Sequence, residues 1–387
     1  MRQLSSAQAV AIERAGLADV LAGPGQGFWE IRTGSKIGVV VGDDWELRVT
    51  PRIDVPRLMF LLAYAQDQRG WKKITAQFGR EDDLFGAIAS GFSWHATWAL
   101  DRGLLRGYVG REERRNDIRG RVLFGAQIAR SGGLPLPIHV AYDDFTADVL
   151  ENRMLRTATQ LLLRLPRIPA EARKRLLRVR AVLEGVSPLV AWRGVAAPET
   201  TRLNERYEAA LRLAELVLAG ASVNAAVGDV RSTTFVFDMN KVFEDFLTAA
   251  FREAMRPHGG EVRSQIAPYS LDESGVLALK PDISWWIGSS CAAIVDAKYK
   301  AVDDGVMKHP DAYQMLAYCL SYGLQTGYLA YAKDSGQEAR THRIRHSEND
   351  IVVATIDVEK EPEDVLADVA ALASRIAREV RSARLAA

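Results

Sequence analysis

Three ionisable residues in the last third of the chain have the types and the spacing to bind a divalent cation. Asp282 and Asp296 each lie seven residues from Ser289, in a short polar turn between two apolar runs, and Lys298 follows Asp296 by two positions. This pattern predicts a β-hairpin. If the hairpin is symmetric about that turn, the two carboxylates face each other across the strands, with Cβ atoms roughly 4.5–5.5 Å apart. Lys298 then projects from the same face as Asp296.

These groups suit metal-assisted hydrolysis. Mg²⁺ prefers carboxylate, carbonyl and water oxygens, so Asp282, Asp296 and the main-chain carbonyl of Ala297 could hold it, with Mn²⁺ as a substitute. The metal would lower the pKa of a bound water and stabilise charge developing on a phosphodiester. Lys298 would orient that water or stabilise the pentavalent transition state. Two alternatives stay open: a plain salt bridge at the strand ends, or a one-residue slip that moves Asp296 and Lys298 to the opposite face.

A fourth acidic residue, Glu244, stands on a predicted helix that precedes the hairpin. The segment DMNKVFEDF opens this helix, and Asp238 or Asn240 can serve as its N-cap residue. Glu244 is therefore a candidate additional catalytic acid, although its position alone is more typical of a charge on a helix surface.

Gln314 and Tyr318 lie four residues apart after the hairpin, on one face of another predicted helix. They could contact a DNA phosphate or orient Lys298, and plain packing is the alternative for this pair. Lys300, two residues beyond Lys298, is a further candidate for supporting DNA binding.

The elements that must position these residues follow a helix–strand alternation from about residue 233 onward. Apolar spacing predicts helices at 243–255, 312–322 and 362–384, and strands at 283–287, 293–299, 327–332 and 351–356.

Earlier in the chain, alternating apolar residues predict a small β-meander at 28–33, 37–41 and 45–50, followed by helices at 55–66 and 84–105. Three- and four-residue apolar spacing predicts further helices at 150–165, 170–183 and 204–218. The expected fold class is therefore α+β and multidomain. Its parts are a small β-rich N-terminal module (1–105), a helical middle region (106–232) and a C-terminal α/β domain (233–387).

Composition limits the function classes. Lys and Arg (50) nearly balance Asp and Glu (49), so the protein lacks the strongly basic surface of many nucleic-acid-binding proteins. Any affinity for DNA must come from local basic patches or from a partner. The two cysteines, Cys291 and Cys319, cannot build a disulfide framework or a zinc site. The longest apolar stretch, 58–65, is too short to span a membrane, and no signal peptide is evident. We expect a cytoplasmic protein without a membrane partner.

The segments FVFDMNKVFEDF, LKPDI, VDAKYK and DAYQMLAY closely resemble the nuclease domain of the McrC family. McrC proteins are the cleavage subunits of the McrBC modification-dependent (type IV) restriction systems and belong to the PD-(D/E)xK superfamily. The resemblance includes RGLLRGYVGREERRNDIRGRVLF and YDDFTADVLENRML and covers roughly residues 100 to 335. The first hundred residues resemble the family only in their order of elements, a short β-rich module followed by a helix.

The resemblance implies a Mg²⁺-dependent DNA endonuclease whose C-terminal region has the restriction-endonuclease-like fold. It implies a hexameric McrB-like AAA+ GTPase as partner, double-stranded DNA containing methylated cytosine as substrate, and an N-terminal part that docks in the ring and stimulates GTP hydrolysis. The chain lacks a G-x-x-x-x-G-K-[ST] loop, and Gly34-Ser35-Lys36 is only a fragment of one. No nucleotide site is therefore expected in this chain.

Two other functions remain open. A non-cleaving adaptor would activate the AAA+ ring and only hold DNA, but such a module has no need of Asp282, Asp296 and Lys298. A stand-alone nuclease of the same fold often carries an iron–sulfur cluster, for which two distant cysteines do not suffice. The segment Arg119-Gly120-Arg121 could bind phosphate, stabilise a partner's nucleotide or form a structural turn.

Overall fold

The computed structural model describes most of the chain. The described residues are 2–25, 27–42, 44–68, 70–72, 83–131, 136–191, 195–227, 230–299, 309–332 and 340–386. The α-helices are α1 (Ser6–Ala15), α2 (Val55–Gln66), α3 (Leu84–Leu100), α4 (Phe124–Ser131), α5 (Leu150–Leu163), α6 (Ala170–Val182), α7 (Glu208–Gly220), α8 (Met239–Met255), α9 (His309–Tyr322) and α10 (Pro362–Ala386). Within the described ranges, no helix is long and apolar enough to cross a membrane.

The strands form five sheets across the described residues. They are β1 (Arg2–Gln3), β2 (Asp19–Ala22), β3 (Phe28–Arg32), β4 (Lys36–Val41), β5 (Glu46–Val49), β6 (Gly107–Arg115), β7 (Arg121–Val122), β8 (Ile138–Thr146), β9 (Ala221–Val227), β10 (Val230–Asp238), β11 (Glu261–Ser264), β12 (Tyr269–Ser270), β13 (Ala278–Leu279), β14 (Ile283–Ile287), β15 (Ser290–Lys298), β16 (Thr326–Ala332), β17 (Arg340–Arg343) and β18 (Asp350–Ile356). The sheet orders are β1-β3-β2, β5-β4-β10-β9, β6-β8-β7, β12-β13 and β11-β14-β15-β16-β18-β17.

The chain divides into two compact units, and the first is discontinuous in sequence. One unit comprises Met1–Leu84 together with Ser222–Ala387, and the other comprises Phe85–Ala221. The first unit is discontinuous because β4 pairs antiparallel with β10, nearly two hundred residues later. This division differs from the three contiguous regions expected at 1–105, 106–232 and 233–387, because local patterns do not reveal pairing between distant strands.

The strands of the predicted N-terminal meander exist, but they do not form one sheet. β3 lies in the sheet of β1 and β2, whereas β4 pairs with β5 and β10, so the single meander was wrong. The close approach of β10 needs Gly38, because a Cβ built there would lie 2.1 Å from the carbonyl oxygen of Phe235. Local alternation predicts strands but not their partners.

The second unit is only partly helical. Helices α5, α6 and α7 confirm the predictions, but β6 and β8 form a nine-residue antiparallel ladder where a helical region was expected. Residues of β6 alternate between exposed and half-buried, and the strand has no fully buried side. An exposed ladder that carries charges on both faces lacks the apolar alternation by which a strand is recognised.

The six-stranded sheet of the first unit forms the apolar core beneath the candidate site. Trp286, Ile294 and Leu329 pack with residues of α9 in one buried cluster. Trp285 and Val295, which neighbour two of these residues in sequence, are only 1% exposed, so the other face of the hairpin is covered as well. Both tryptophans of β14 are buried, and the strands confirm the predicted order along the chain.

Candidate metal centre

The hairpin of β14 and β15 contains a β-bulge near its turn. Trp286 pairs with Cys291, whereas its neighbour Trp285 pairs with Ala293. Ala292 is therefore an extra residue on the second strand. Such a bulge shifts the register of every pair beyond it by one position.

This shift determines which residues meet at the far end of the hairpin. Ile283 pairs with Val295, so the next position along each strand brings Asp282 opposite Asp296. Without the bulge, the pairing near the turn would have set Asp282 opposite Val295. The predicted facing of the two aspartates is thus correct, but the turn is not symmetric about Ser289. The extra residue of the bulge, Ala292, restores the pairing that a turn symmetric about Ser289 would have given.

Both carboxylate oxygens of Asp282 accept hydrogen bonds. The backbone N–H of Ala297 donates to Oδ2 at 2.9 Å, and Nε2 of Gln265 donates to Oδ1 at 2.7 Å. Burial raises the pKa of Asp282 well above its ordinary value, and the neighbouring Asp296 carboxylate raises it further. A half-buried carboxylate and a buried one that repel each other favour either a shared proton or a cation between them.

Lys298 is held between acidic groups. Its Nζ lies 2.5 Å from Oδ2 of Asp296, which is only 2% exposed, and 4.0 Å from Oδ1 of Asp311. Burial alone would lower the pKa of Lys298, but the carboxylates of Asp296, Asp311 and Asp282 outweigh it and raise this pKa above its ordinary value. Lys298 is therefore a protonated ammonium group, which can donate hydrogen bonds to its neighbours.

A chain of hydrogen bonds fixes the lysine from α9. Nζ of Lys298 donates to Oε1 of Gln314 at 2.9 Å, and Nε2 of Gln314 donates to the Tyr318 hydroxyl at 3.0 Å. That hydroxyl donates to the carbonyl oxygen of Lys280 at 3.1 Å. These hydrogen bonds support the prediction that Gln314 and Tyr318 orient Lys298. Lys300 lies outside the described residues.

Helix α8 begins at the predicted cap. The side chain of Asp238 accepts a hydrogen bond from the backbone N–H of Asn240 at 3.0 Å. Ser35, in the loop before β4, donates from its hydroxyl to Asp238 at 3.1 Å and accepts at its carbonyl from the N–H of Met239 at 3.0 Å. The Gly34-Ser35-Lys36 fragment thus helps to anchor the start of the helix that carries Glu244.

Glu244 joins the same cluster through an intermediary. Its Oε1 accepts from Nζ of Lys241 at 3.1 Å and from Nε2 of Gln265 at 2.9 Å. The same Gln265 nitrogen donates to Asp282, so one amide group connects the two acids. Glu244 is therefore brought to the site, with Gln265 between it and Asp282.

Two polar residues of the cluster had no predicted role. Asp311 shares α9 with Gln314, three positions away, and its Oδ2 accepts from the Tyr331 hydroxyl at 2.7 Å. The helical spacing between Asp311 and Gln314 is the sequence feature that could have indicated this position. Gln265 follows β11 and has a φ of 53°, and nothing in the local sequence marks it. Its position depends on how β11 pairs with β14.

The side chains and main chain at this site fit Mg²⁺. The available donors are oxygens only, from Asp282, Asp296 and the Ala297 carbonyl, and the buried Asp296 has its Oδ2 2.5 Å from Nζ of Lys298. Among the described residues, no group of three or more acidic, histidine or cysteine side chains is spaced to hold a metal. Mg²⁺ is commonly held by one or two carboxylates and completes its shell with water and substrate phosphate.

Other candidates have structural surroundings. His95, a residue of α3 that the sequence analysis did not select, is 7% exposed, and burial lowers its pKa to about 4. Arg119 donates to Asp144 at 2.8 Å and lies 4.0 Å from the ring centroid of Tyr142. These contacts support the structural interpretation of the Arg119 segment.

Comparison with solved structures finds a similar fold in a chain from the "Refined half-complex from tetradecameric assembly of Thermococcus gammatolerans McrB AAA+ hexamers with bound McrC". The TM-score is 0.58 at 19% identity, and the match covers 96% of this chain and 89% of that chain. A second match, in the Thermococcus gammatolerans McrBC complex, has 21% identity over 66% of this chain and 75% of that chain, with a TM-score of 0.36. Among curated proteins, no sequence matches this chain.

A family model described as "McrBC 5-methylcytosine restriction system component" matches residues 31–332. The match includes β4, the second compact unit and the hairpin with Asp282, Asp296 and Lys298, so it covers more than half of the chain. The chain therefore belongs to the McrBC 5-methylcytosine restriction system component family.

Proposed function

We propose that this chain is the Mg²⁺-dependent endonuclease subunit of a McrBC-like restriction complex, with a C-terminal domain of the PD-(D/E)xK type. The observation that carries the proposal is the meeting of Asp282, Asp296 and Lys298 at one edge of an apolar sheet. A lysine held beside the buried carboxylates of Asp296 and Asp311 is costly, and such perturbed groups are concentrated at functional sites.

The proposed chemistry assigns a separate part to each residue. Asp282, Asp296 and the Ala297 carbonyl would hold the cation, which when bound would activate a water and neutralise charge on the phosphodiester. Asp282 is kept in place by its two hydrogen bonds, and Lys298 by Gln314. The Lys298 ammonium group stabilises negative charge that develops on the phosphate oxygens.

The proposed partner and substrate rest on the family. Its description names 5-methylcytosine restriction, and the solved relative contains McrB AAA+ hexamers with bound McrC. We therefore propose double-stranded DNA containing 5-methylcytosine as substrate and an McrB-like AAA+ GTPase hexamer as partner, whose GTP hydrolysis this chain stimulates. The formal net charge of +1 gives little general attraction to DNA, which is consistent with DNA being delivered by a partner.

Cleavage of methylated duplex DNA by the chain together with its AAA+ partner, GTP and Mg²⁺ tests the proposal. We expect Asp296→Asn to abolish cleavage, because the variant keeps the side-chain shape but removes a metal ligand. Asp245→Asn is the matched control, since Asp245 also pairs with a lysine but is 49% exposed on α8. GTPase stimulation should be equal in all three proteins.

The outcomes separate the candidate functions. If Asp296→Asn cleaves at the wild-type rate, the proposed site is wrong. If the wild-type chain stimulates the GTPase but cleaves no methylated or unmodified DNA, the adaptor alternative is correct. Loss of cleavage in the Asp245→Asn control would mean that the assay responds to the fold of α8 and not to the metal ligands.

The N-terminal docking role needs a test that leaves the fold intact. Because β4 belongs to the same unit as the candidate site, deleting residues 1–105 would remove a strand of its fold. Surface substitutions are preferable, such as Leu21→Gln with Phe28→Gln, two neighbouring-strand residues that are 43% and 46% exposed. If this module docks on the ring, GTPase stimulation falls; unchanged stimulation would oppose docking through this face.

A further inference from the structure

Gln265 has a backbone conformation that its side-chain type rarely adopts. Its φ of 53° lies in the left-handed region, where a residue with a Cβ is strained and glycine is not. Outside the glycines, His346 is the other residue with positive φ that the structure records. A strained residue persists when its surroundings fix it, and such residues cluster at functional sites.

The contacts of Gln265 explain what the strained conformation achieves. The residue comes directly after β11, and its backbone N–H still donates to the carbonyl oxygen of Asp282 at 3.2 Å. Its side chain then turns back toward the site. Nε2 donates to Oδ1 of Asp282 at 2.7 Å and to Oε1 of Glu244 at 2.9 Å. The two hydrogens of one amide group thus serve two carboxylates.

These bonds restrict both acids but do not use all the lone pairs of their oxygens. With Gln265 on Oδ1 and the Ala297 N–H on Oδ2, the carboxylate of Asp282 cannot rotate freely. Each oxygen retains a second lone pair that can bind a metal. Glu244 would otherwise be a helix-surface acid free to pair with Lys241 alone.

From this geometry we infer that Gln265 is a positioning residue of the metal centre, whose amide ties the carboxylates of Glu244 and Asp282 together. This inference rests on the proposed function, since it concerns the same cation. Outer hydrogen-bond partners of metal ligands typically change metal affinity by about 10- to 100-fold when they are removed. We expect Gln265→Ala to weaken Mn²⁺ binding by about 10-fold on that basis.

The experiment is a Mn²⁺ titration of the full-length chain without DNA or partner. Binding is measured by calorimetry and by the electron paramagnetic resonance signal of free Mn²⁺. The variants are Gln265→Ala, Gln265→Gly and Gln265→Asn, with Gln325→Ala as a control at an exposed glutamine. Thermal unfolding in EDTA is measured for each. Gln265→Gly removes the amide but also relieves the left-handed backbone, so its unfolding midpoint should exceed that of Gln265→Ala.

If the amide is what matters, the Ala and Gly variants lose Mn²⁺ affinity equally, although their unfolding midpoints differ. Gln265→Asn should recover part of the affinity, because asparagine tolerates this backbone region and keeps a shorter amide. In a Glu244→Gln background, Gln265→Ala should cost less than it does alone, because one of its two partners is already changed.

Wild-type affinity in both the Ala and Gly variants would overturn the inference, and so would a loss confined to the Ala variant, since that loss would come from the backbone. A failure of the proposed function looks different. In that case the wild-type chain binds no Mn²⁺, or Asp296→Asn binds it as tightly as the wild type does. Either result would remove the metal centre and, with it, the role of Gln265.

Discussion

Two antiparallel strand pairs of this chain carry oppositely charged side chains, in very different surroundings. In the β14–β15 hairpin and its neighbours, Asp296 is 2% exposed and the side chain of its partner Lys298 is 15% exposed. In the β6–β8 ladder, Asp144 pairs with Arg111 and Arg119, whose side chains are 40% and 46% exposed. The first pair lies in an apolar sheet, and the second lies on a polar surface.

The difference in exposure distinguishes a charged pair whose presence calls for a functional explanation from charged pairs that are ordinary surface features. Exposed ion pairs contribute roughly 0–1 kcal/mol, and their residues can change at little cost. A buried pair is often no better for stability than apolar residues of the same volume, because both charges lose their hydration. Its presence is therefore poor evidence for stability and better evidence for a site that needs charge, such as a metal centre.

After the loss of cleavage expected for Asp296→Asn, the largest effect is expected from Lys298→Met. The Lys298 ammonium group is held in place to stabilise negative charge that develops on the phosphate. Removing it should lower single-turnover cleavage by about 10²–10³-fold. Mn²⁺ affinity should stay the same or rise, because a positive charge beside the ligands is gone. Lys360→Met is the control, since its ion pair with Asp368 is exposed. Wild-type cleavage by Lys298→Met would show that the buried charge has no catalytic part.

A smaller effect is expected from the residues that orient this lysine. Gln314→Met removes the acceptor of the Lys298 hydrogen bond and should lower cleavage by about 10-fold, by analogy with other outer-sphere partners. Tyr318→Phe removes a bond one step further away and should cost less. Single-turnover rates with Mn²⁺ affinity measured in parallel would check this order. A larger loss from Tyr318→Phe would contradict the hydrogen-bond chain.

The smallest effect is expected in the exposed ladder. Asp144→Asn removes the charge that pairs with Arg111 and Arg119, and it should change the free energy of unfolding by no more than about 1 kcal/mol. Cleavage should not change. Denaturant unfolding and the coupled GTPase assay would check this. A loss of GTPase stimulation in this variant would instead favour the alternative in which Arg119 acts on a partner's nucleotide.

Sequence patterns were sufficient for several local elements and for the central residues of the candidate site. Apolar spacing predicted α5, α8 and the strand at 283–287 to within a few residues, because each buries a regular apolar side. Asp282, Asp296 and Lys298 stood out because charged residues interrupt apolar strands at a spacing that brings them to one edge.

Long-range pairing and irregular backbone lay beyond the sequence patterns. The pairing of β4 with β10 leaves a close approach at Gly38, but a glycine alone does not name its partner strand. The bulge at Ala292, which brings Asp282 opposite Asp296, was not predicted, and no residue type marks it. Gln265 reaches the site only because β11 pairs with β14 and its backbone turns into the left-handed region.

The most direct test of the metal centre is anomalous diffraction from a crystal of the chain grown with Mn²⁺. The account predicts a single strong peak within coordination distance of Asp282, Asp296 and the Ala297 carbonyl oxygen, with metal–oxygen distances near those of Mg²⁺ sites, roughly 2.0–2.1 Å. The peak should vanish in Asp296→Asn. A crystal with Mn²⁺ bound elsewhere, and none between these oxygens, would contradict the account.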